Sequence, residues 1–327
     1  MTFDLIIVGV GRVARRFVSL LEEQQVVSAR VVETVTRRPD SVAHVRRLVK
    51  QYAAAARAGR LVVVESTTLD VKTGEPAIGH IRAALKGGAH AITVNKGPVA
   101  FAYADLAREA ATAGRQFLFE GAVMDGVPVF NFARHVLPGI TINGFRGVVN
   151  STTNYIITAV EQGDSFGSSL AAMQRAGIAE ADASLDIDGW DAAAKTAALA
   201  NVLLDARITP HDVQRESLTE ASTVAIRGAR SAGRRMKVVA WARGRGSGVH
   251  ARVGLMELPE GDLLAGLDGP QNALVLDTDL LGEVAIVELG SGLTQTAYGL
   301  LTDLVTISRA RPARRGRTPS PRGRRER

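Results

Sequence analysis

Short apolar runs alternate with amphipathic stretches from Asp4 to Glu120. Asp4 to Val8 forms a buried-strand run, and Val13 to Gln24 reads as a helix with Val13, Phe17, Leu20 and Leu21 on one face. A second apolar run, Val26 to Val35, stops at Thr36-Arg37-Arg38-Pro39, where proline ends regular structure. Leu61 to Val64 is a third strand, followed by Glu65-Ser66-Thr67-Thr68 and a helix from Pro76 to Gly87 with proline in its first turn. Ala91 to Val94 predicts a fourth strand ending in Asn95-Lys96-Gly97-Pro98. A helix then reaches Gly114, and Gln116 to Phe119 is a fifth strand ending at Glu120. Such alternation predicts a parallel, doubly wound, Rossmann-like α/β sheet, with ligands beyond the carboxyl ends of its strands.

From about Thr141 the rhythm changes. One strand precedes three helical patterns, Asn154 to Gln162, Phe166 to Ala176 and Gly189 to Leu204, and Val249 to Leu289 is β-rich. This predicts a second, α+β domain. The division expected is 1–138 for the sheet domain, 139–289 for the second domain and 290–308 for a helical segment returning to the first. The stretch 309–327 remains as a tail.

The 327 residues, 46% of them hydrophobic, can bury a large core, and length alone suggests two domains. The absence of cysteine excludes disulfide, thiolate-metal and cysteine-nucleophile chemistry and fits a reducing, cytoplasmic setting. No apolar run approaches the length of a membrane span. The net charge of +7 raises the question of nucleic acid, but nine arginines and one glutamate lie between Arg309 and Arg327, so the remainder is close to neutral. The tail, rich in Arg, Pro, Gly and Ser, reads as a disordered segment and argues against a nucleic-acid partner for the body.

Gly9-Val10-Gly11-Arg12-Val13-Ala14 is G-x-G-x-x-A at the end of the first strand. Glycines there let the backbone approach a pyrophosphate, and the helix N-terminus supplies amide donors and a favourable dipole. Gly9, Gly11, Arg12 and Val13 are therefore candidate dinucleotide contacts, a tight βα turn being the alternative. An NAD site usually places an acid at the end of the second strand, where this chain has Thr36, Arg37 and Arg38. Arg37 and Arg38 therefore favour NADP(H), unless they are only a solvated loop.

The densest polar run, Glu180 to Asp191, carries five acids ahead of Lys195. Asp191 and Lys195 stand at i and i+4, on one helix face, where they can engage a single ligand group. Carbonyl reduction needs a hydride and a proton for the developing alkoxide, and a lysine in a closed cleft can have its pKa lowered towards neutrality. The oxygen spacing does not follow a calcium loop of the EF-hand type.

Five blocks in order now resemble homoserine dehydrogenase. They are Thr93-Val94-Asn95-Lys96-Gly97-Pro98, Phe119 to Pro128, Asn150-Ser151-Thr152-Thr153-Asn154-Tyr155-Ile156, Ala179-Glu180-Ala181-Asp182, and Asp186-Ile187-Asp188-Gly189-Trp190-Asp191 closing at Lys195. The resemblance implies a cytoplasmic homodimer that interconverts L-aspartate 4-semialdehyde and L-homoserine on the branch to threonine and methionine. It makes Lys195 the proton donor and acceptor, Asp191 its neighbour, and Lys96 a contact to cofactor and substrate. Glu180 would hold the substrate ammonium, with Asp186 and Thr152 in the same pocket. Thr67, Thr68, Gly177 and Gly292 would contact the cofactor. A monovalent cation, Na⁺, would sit by Glu120 and the carbonyls of Val123, Asp125 and Val127, where a buried structural glutamate is the alternative.

The family usually has glycine where this chain has Ser151, which predicts a strained turn if that position needs positive φ. No regulatory domain is expected after the second domain. Two alternatives stay open: an aspartate-type amino-acid dehydrogenase, and a cofactor-sensing protein whose basic tail binds nucleic acid.

Overall fold

The computed structural model describes residues 1–36, 38–175 and 183–310. The first domain runs β1 (Phe3–Val8), α1 (Arg12–Gln24), β2 (Ala29–Val35), α2 (Ser41–Gln51), α3 (Ala53–Arg57), β3 (Leu61–Glu65), α4 (Ala77–Lys86), β4 (His90–Thr93), α5 (Gly97–Ala113) and β5 (Phe117–Leu118). Its strands form one parallel sheet in the order β2-β1-β3-β4-β5. Every residue of β1 and β3 is buried, as strands covered on both faces must be. The expected parallel sheet is therefore present, and the chain reverses direction across it between β1 and β3. Ligands of such sheets bind at that reversal.

The second domain follows as α6 (Val129–Asn131), β6 (Ile142–Val148), α7 (Ser151–Glu161), α8 (Phe166–Arg175), α9 (Ser184–Ile187), α10 (Trp190–Leu203), β7 (Gln214–Arg215), α11 (Ser222–Ser231), β8 (Arg234–Arg243), β9 (His250–Pro259), β10 (Asn272–Thr278) and β11 (Gly282–Glu288). Its sheet, in the order β11-β10-β6-β8-β9-β7, is antiparallel except between β7 and β9. The last helix, α12 (Leu293–Arg309), returns to the first domain. There Ala297, Leu300 and Leu304 pack with Phe17 and Leu20 of α1 on Leu5 and Ile7 of β1. The opposite face of the sheet carries α2 and α4 through Val45, Val49, Ile81 and Leu85.

Three local readings change. The strand expected from Val26 begins only at Ala29, and Val26 is exposed. Pro39 introduces a helix as well as ending a strand, because Val45, Leu48 and Val49 form a buried stripe at helical spacing in α2. The stretches that form α11 and β8 carry no predicted element. In β8 the apolar residues Met236, Val238, Ala240 and Ala242 alternate with Arg235, Lys237 and Trp241, and the buried basic residues disguise a strand inside the sheet.

Two features bring the domains together. Small residues occupy most of the buried surface of α10, so it lies close against α5, and Asn201 donates to the carbonyls of Val99 (3.2 Å) and Ala100 (3.1 Å). The turn before α10 is held at Gly189, in the left-handed region at φ +76°, and the Arg215 guanidinium lies 3.6 Å from the centre of the Trp190 ring.

At the reversal point, Gly9 has φ +88°, and a Cβ there would lie 2.8 Å from the Ser66 backbone. Above Gly11 a Cβ would meet nothing within 4 Å. Gly9→Ala should therefore destabilise the fold by about 1–3 kcal/mol, read by urea unfolding, while Gly11→Ala unfolds at the wild-type midpoint. Equal midpoints for all three proteins would contradict this account of the turn.

Candidate active site

A lysine, an aspartate and a second lysine meet where the domains touch. Lys96 caps the N-terminus of α5, and its Nζ donates to Asp191 Oδ1 at 2.8 Å. Asp191 lies in the first turn of α10, and Lys195, one turn on, reaches its Oδ2 at 3.1 Å. Lys195 Nζ also donates to the carbonyl of Val149 at 2.7 Å. An ammonium has three N–H bonds, so among the described residues one donor of Lys195 is left for a substrate oxygen.

The carboxylates around it are held by Asn150. This residue follows β6, and its Oδ1 caps α7 by accepting from the Thr153 amide at 2.8 Å. Its Nδ2 donates to Asp186 Oδ1 (2.8 Å) and Asp191 Oδ2 (3.0 Å). Thr152, close by, acts to lower the Asp186 pKa. The cap explains why α7 starts three residues before the expected Asn154. Asn150 and the capping geometry were not singled out from the sequence, although Asn followed by Ser-Thr-Thr is a helix-start pattern.

Electrostatics set the protonation states. Burial alone would raise Asp191, but Lys195 and Lys96 outweigh it and hold the carboxyl well below the usual range. Asp186 is pushed up by burial and by the charge of Asp191. Burial alone would lower Lys195, yet the charges of Asp191, Asp125 and Asp186 outweigh it and keep the pKa above the ordinary lysine value. The expected lowering towards neutrality is thus corrected: three acids surround the amine, and it stays an ammonium.

The cofactor-side candidates line the reversal point. Arg12 and Val13 open α1 just after Gly9 and Gly11. Thr67 follows β3, and both its amide (3.0 Å) and its hydroxyl donate to the buried Glu65. Asn95 Nδ2 donates to the Thr67 carbonyl at 3.1 Å, with the Thr68 carbonyl at 3.4 Å. Glu65 thus fixes the strand end that presents Thr67, a role invisible in a sequence where it is one acid closing an apolar run. Gly292 caps α12 and donates its amide to Asp125 Oδ2 at 2.9 Å. Open space above Gly11, at the N-terminus of α1, fits a dinucleotide phosphate.

Arg38 forms an ion pair with Asp40 at 2.5 Å, and Arg47 reaches the same carboxylate at 3.2 Å. Arg37, Gly177 and Glu180 lie outside the described residues.

The cation candidates are differently employed. Both carboxylate oxygens of Glu120 accept backbone amides, from Phe130 (2.7 Å) and Asn131 (2.9 Å). Burial pushes its pKa up to about 7, and the buried Asp303 lies alongside. Both oxygens are thus engaged by the backbone, the arrangement that the alternative of a buried structural glutamate expects. Val123, Asp125 and Val127 belong to the following turn, where the Val127 carbonyl accepts from the Val129 amide at 2.8 Å. Asp125, at φ +47°, uses its side chain on Gly292 and Thr296. Ser151 is the first residue of α7 and is not in the left-handed region, so the expected strain is not present.

A phosphate-accepting βα turn facing an ammonium and carboxylate cluster on a second domain defines a nicotinamide-dependent dehydrogenase. Residues 9–120 match the family profile "Homoserine dehydrogenase, NAD binding domain", and residues 128–305 match "Homoserine dehydrogenase". The chain belongs to the homoserine dehydrogenase family. It is 37% identical over 250 residues to an NAD(+)-dependent homoserine dehydrogenase of Pseudomonas canavaninivorans, covering 76% of this chain and 71% of the relative. To the enzyme of Sulfurisphaera tokodaii it is 34% identical over 248 residues, covering 76% and 77%. The solved homoserine dehydrogenase of Thiobacillus denitrificans superposes with a TM-score of 0.81 at 26% identity, over 94% of this chain and 74% of that one.

Asn150→Ala removes a helix cap and the shared donor of two buried acids. It should lower stability by about 2 kcal/mol in urea unfolding and also reduce turnover; a variant matching wild type in both measurements would show that the amide holds neither.

Proposed function

We propose that Lys195 is the proton donor and acceptor of this homoserine dehydrogenase, that Asp191 and Lys96 complete the catalytic set, and that Asp186 and Thr152 line the substrate pocket. Glu180 is assigned to the substrate ammonium on the resemblance alone. The observation that carries the reading is the one N–H of Lys195 left uncommitted among the described residues, on an ammonium fixed by Asp191 and the Val149 carbonyl. Gly9, Gly11, Arg12, Val13, Thr67, Thr68, Lys96, Gly177 and Gly292 are assigned to the dinucleotide, whose nicotinamide supplies the hydride when bound. Lys195 gives its proton to the oxygen of the semialdehyde in reduction and must first lose that proton to accept one from homoserine in oxidation.

Two consequences can be measured. Lys195→Ala should lower turnover by roughly 10²-fold or more in a purified-enzyme assay with the semialdehyde and reduced cofactor. Because the charges around it keep the Lys195 pKa above the ordinary value, homoserine oxidation should accelerate as pH rises into the alkaline range, while reduction does not. Unchanged turnover in the variant, or oxidation that peaks in acid, overturns the assignment.

The finer cofactor choice proposed is NADP(H), with Arg37 and Arg38 at the end of β2 as the phosphate partners. Against it stand Asp40, already bonded to Arg38 and Arg47, and the Pseudomonas relative named as NAD(+)-dependent. The ratio of kcat/KM for NADPH and NADH decides it, and a ratio below one rejects the preference.

The assembly proposed is a cytoplasmic homodimer. Its support is β11, which has no neighbour on its outer edge among the described residues and carries the exposed Val287 near its end, with the exposed Leu289 just beyond it. A cation is retained only at the carbonyls of Val123, Asp125 and Val127, with no part in the proton transfer. Among the described residues no helix is long and apolar enough to cross a membrane.

A further inference from the structure

Beyond the catalytic cluster, one buried polar chain joins the two domains. Asn272, the first residue of β10, donates from Nδ2 to Ser151 Oγ at 2.9 Å and to Glu288 Oε2 at 3.0 Å. Ser151 Oγ lies 3.2 Å from Ser291 Oγ, in the Gly290-Ser291-Gly292 turn. Asn272 and Glu288 are each 4% exposed. Their two other oxygens, Asn272 Oδ1 and Glu288 Oε1, are buried without a hydrogen-bond partner among the described residues.

Two orphaned acceptors are costly to bury. A carboxylate would leave both unsatisfied, since neither has a hydrogen to give. One proton on Glu288 Oε1, donated to Asn272 Oδ1, satisfies both and closes a cyclic acid–amide pair with the existing Nδ2–Oε2 bond. We propose that Glu288 is a positioning residue that works as the neutral acid, and through Asn272 and Ser151 holds the Gly290–Gly292 turn against the start of α7. This rests on the assignment of that turn to the cofactor.

The surroundings agree. Burial and the charge of Asp125 push the Glu288 pKa up, and Asn272 and the Lys195 ammonium pull it down, leaving it at about 7. Asp125 approaches from the turn after β5 and Lys195 from α10, and these are the charged groups that bear on it. The folded protein therefore binds this proton more tightly than the unfolded chain, so the contribution of Glu288 to stability falls as pH rises towards 7 and changes no further beyond it. Ser151 matters because it directly follows Asn150, the residue that holds Asp186 and Asp191.

The test compares wild type, Glu288→Gln and Glu288→Ala, measuring cofactor KM, kcat and the unfolding midpoint from pH 5 to pH 9. Glutamine can make both hydrogen bonds of the neutral acid at every pH. Wild type should lose cofactor affinity by roughly three- to tenfold through neutrality, the worth of one buried hydrogen bond. Glu288→Gln should stay at the low-pH value throughout, and the pH slope of its unfolding midpoint should be smaller than that of wild type by the one proton of Glu288, the part due to Glu120, Asp186 and Asp303 remaining. Glu288→Ala should show the weakened KM at all pH values, with kcat changed less. Ser151→Ala, which leaves the acid–amide pair intact, should raise cofactor KM while keeping the wild-type pH slope of stability. A glutamine variant whose pH profiles superpose on wild type overturns the proposal, as does an alanine variant with unchanged KM. If Glu288→Ala fails to fold, the glutamine variant decides alone. Should the enzyme turn over neither substrate, the functional reading falls, and the pH slope of the glutamine variant still tests the neutral acid.

Discussion

The Asp191 carboxylate between two ammonium groups is the interaction on which the rest of this structure depends. Lys96 comes from the cofactor-side domain and Lys195 from the substrate-side domain, so one carboxylate is shared across the boundary. All three side chains are less than one-fifth exposed, in a setting where an unpaired charge would be strongly unfavourable. Two ammonium groups thus share one carboxylate, and the charges of Asp125 and Asp186 bear on Lys195 from beyond it. The pairing also places a donor on each side of the carboxylate, so neither lysine can shift without disturbing the other.

Several otherwise separate features serve that geometry. The alanine-rich α10 approaches α5 closely enough for Asn201 to reach the Val99 and Ala100 carbonyls, which aligns Asp191 with the start of α5. Gly189 and the Arg215–Trp190 stack fix where α10 begins. Asn150 spaces Asp186 from Asp191 while starting α7. On the cofactor side, Gly9 lets β1 pass the end of β3, and Glu65 and Asn95 fix Thr67. These are local rules of turn and cap chemistry converging on one point between the domains.

The parallel sheet was legible because β1, β3 and β4 are short apolar runs separated by glycine and proline, and the i, i+4 spacing of Asp191 and Lys195 survives directly as a helix face. What was not legible depended on contacts between distant residues. Lys237 is fully buried in β8, where Asn154 and the Leu267 carbonyl accept from its ammonium, and no periodicity announces a lysine in a strand core. Glu120 could be read from its motif as a cation neighbour, but only the fold shows both its oxygens used by the amides of Phe130 and Asn131. The direction of the Lys195 shift was missed for the same reason. Burial was foreseeable from the apolar context, whereas Asp125, 70 positions away in the chain, had to be brought to it by folding.

The sharing of Asp191 also ties proton chemistry to domain position. If the domains part, Lys96 leaves the carboxylate, and Asp191 loses one of the two charges that hold it ionised. Lys195 would then face a more basic carboxylate, while its own two acceptors, Asp191 and the Val149 carbonyl, belong to the second domain and stay with it. The Ser151–Ser291 contact would open with the same movement, since it joins α7 to the turn that leads into α12. Asp191 therefore couples the surroundings of Lys195 to the position of Lys96, and this is what a carboxylate between two lysines from different domains supplies.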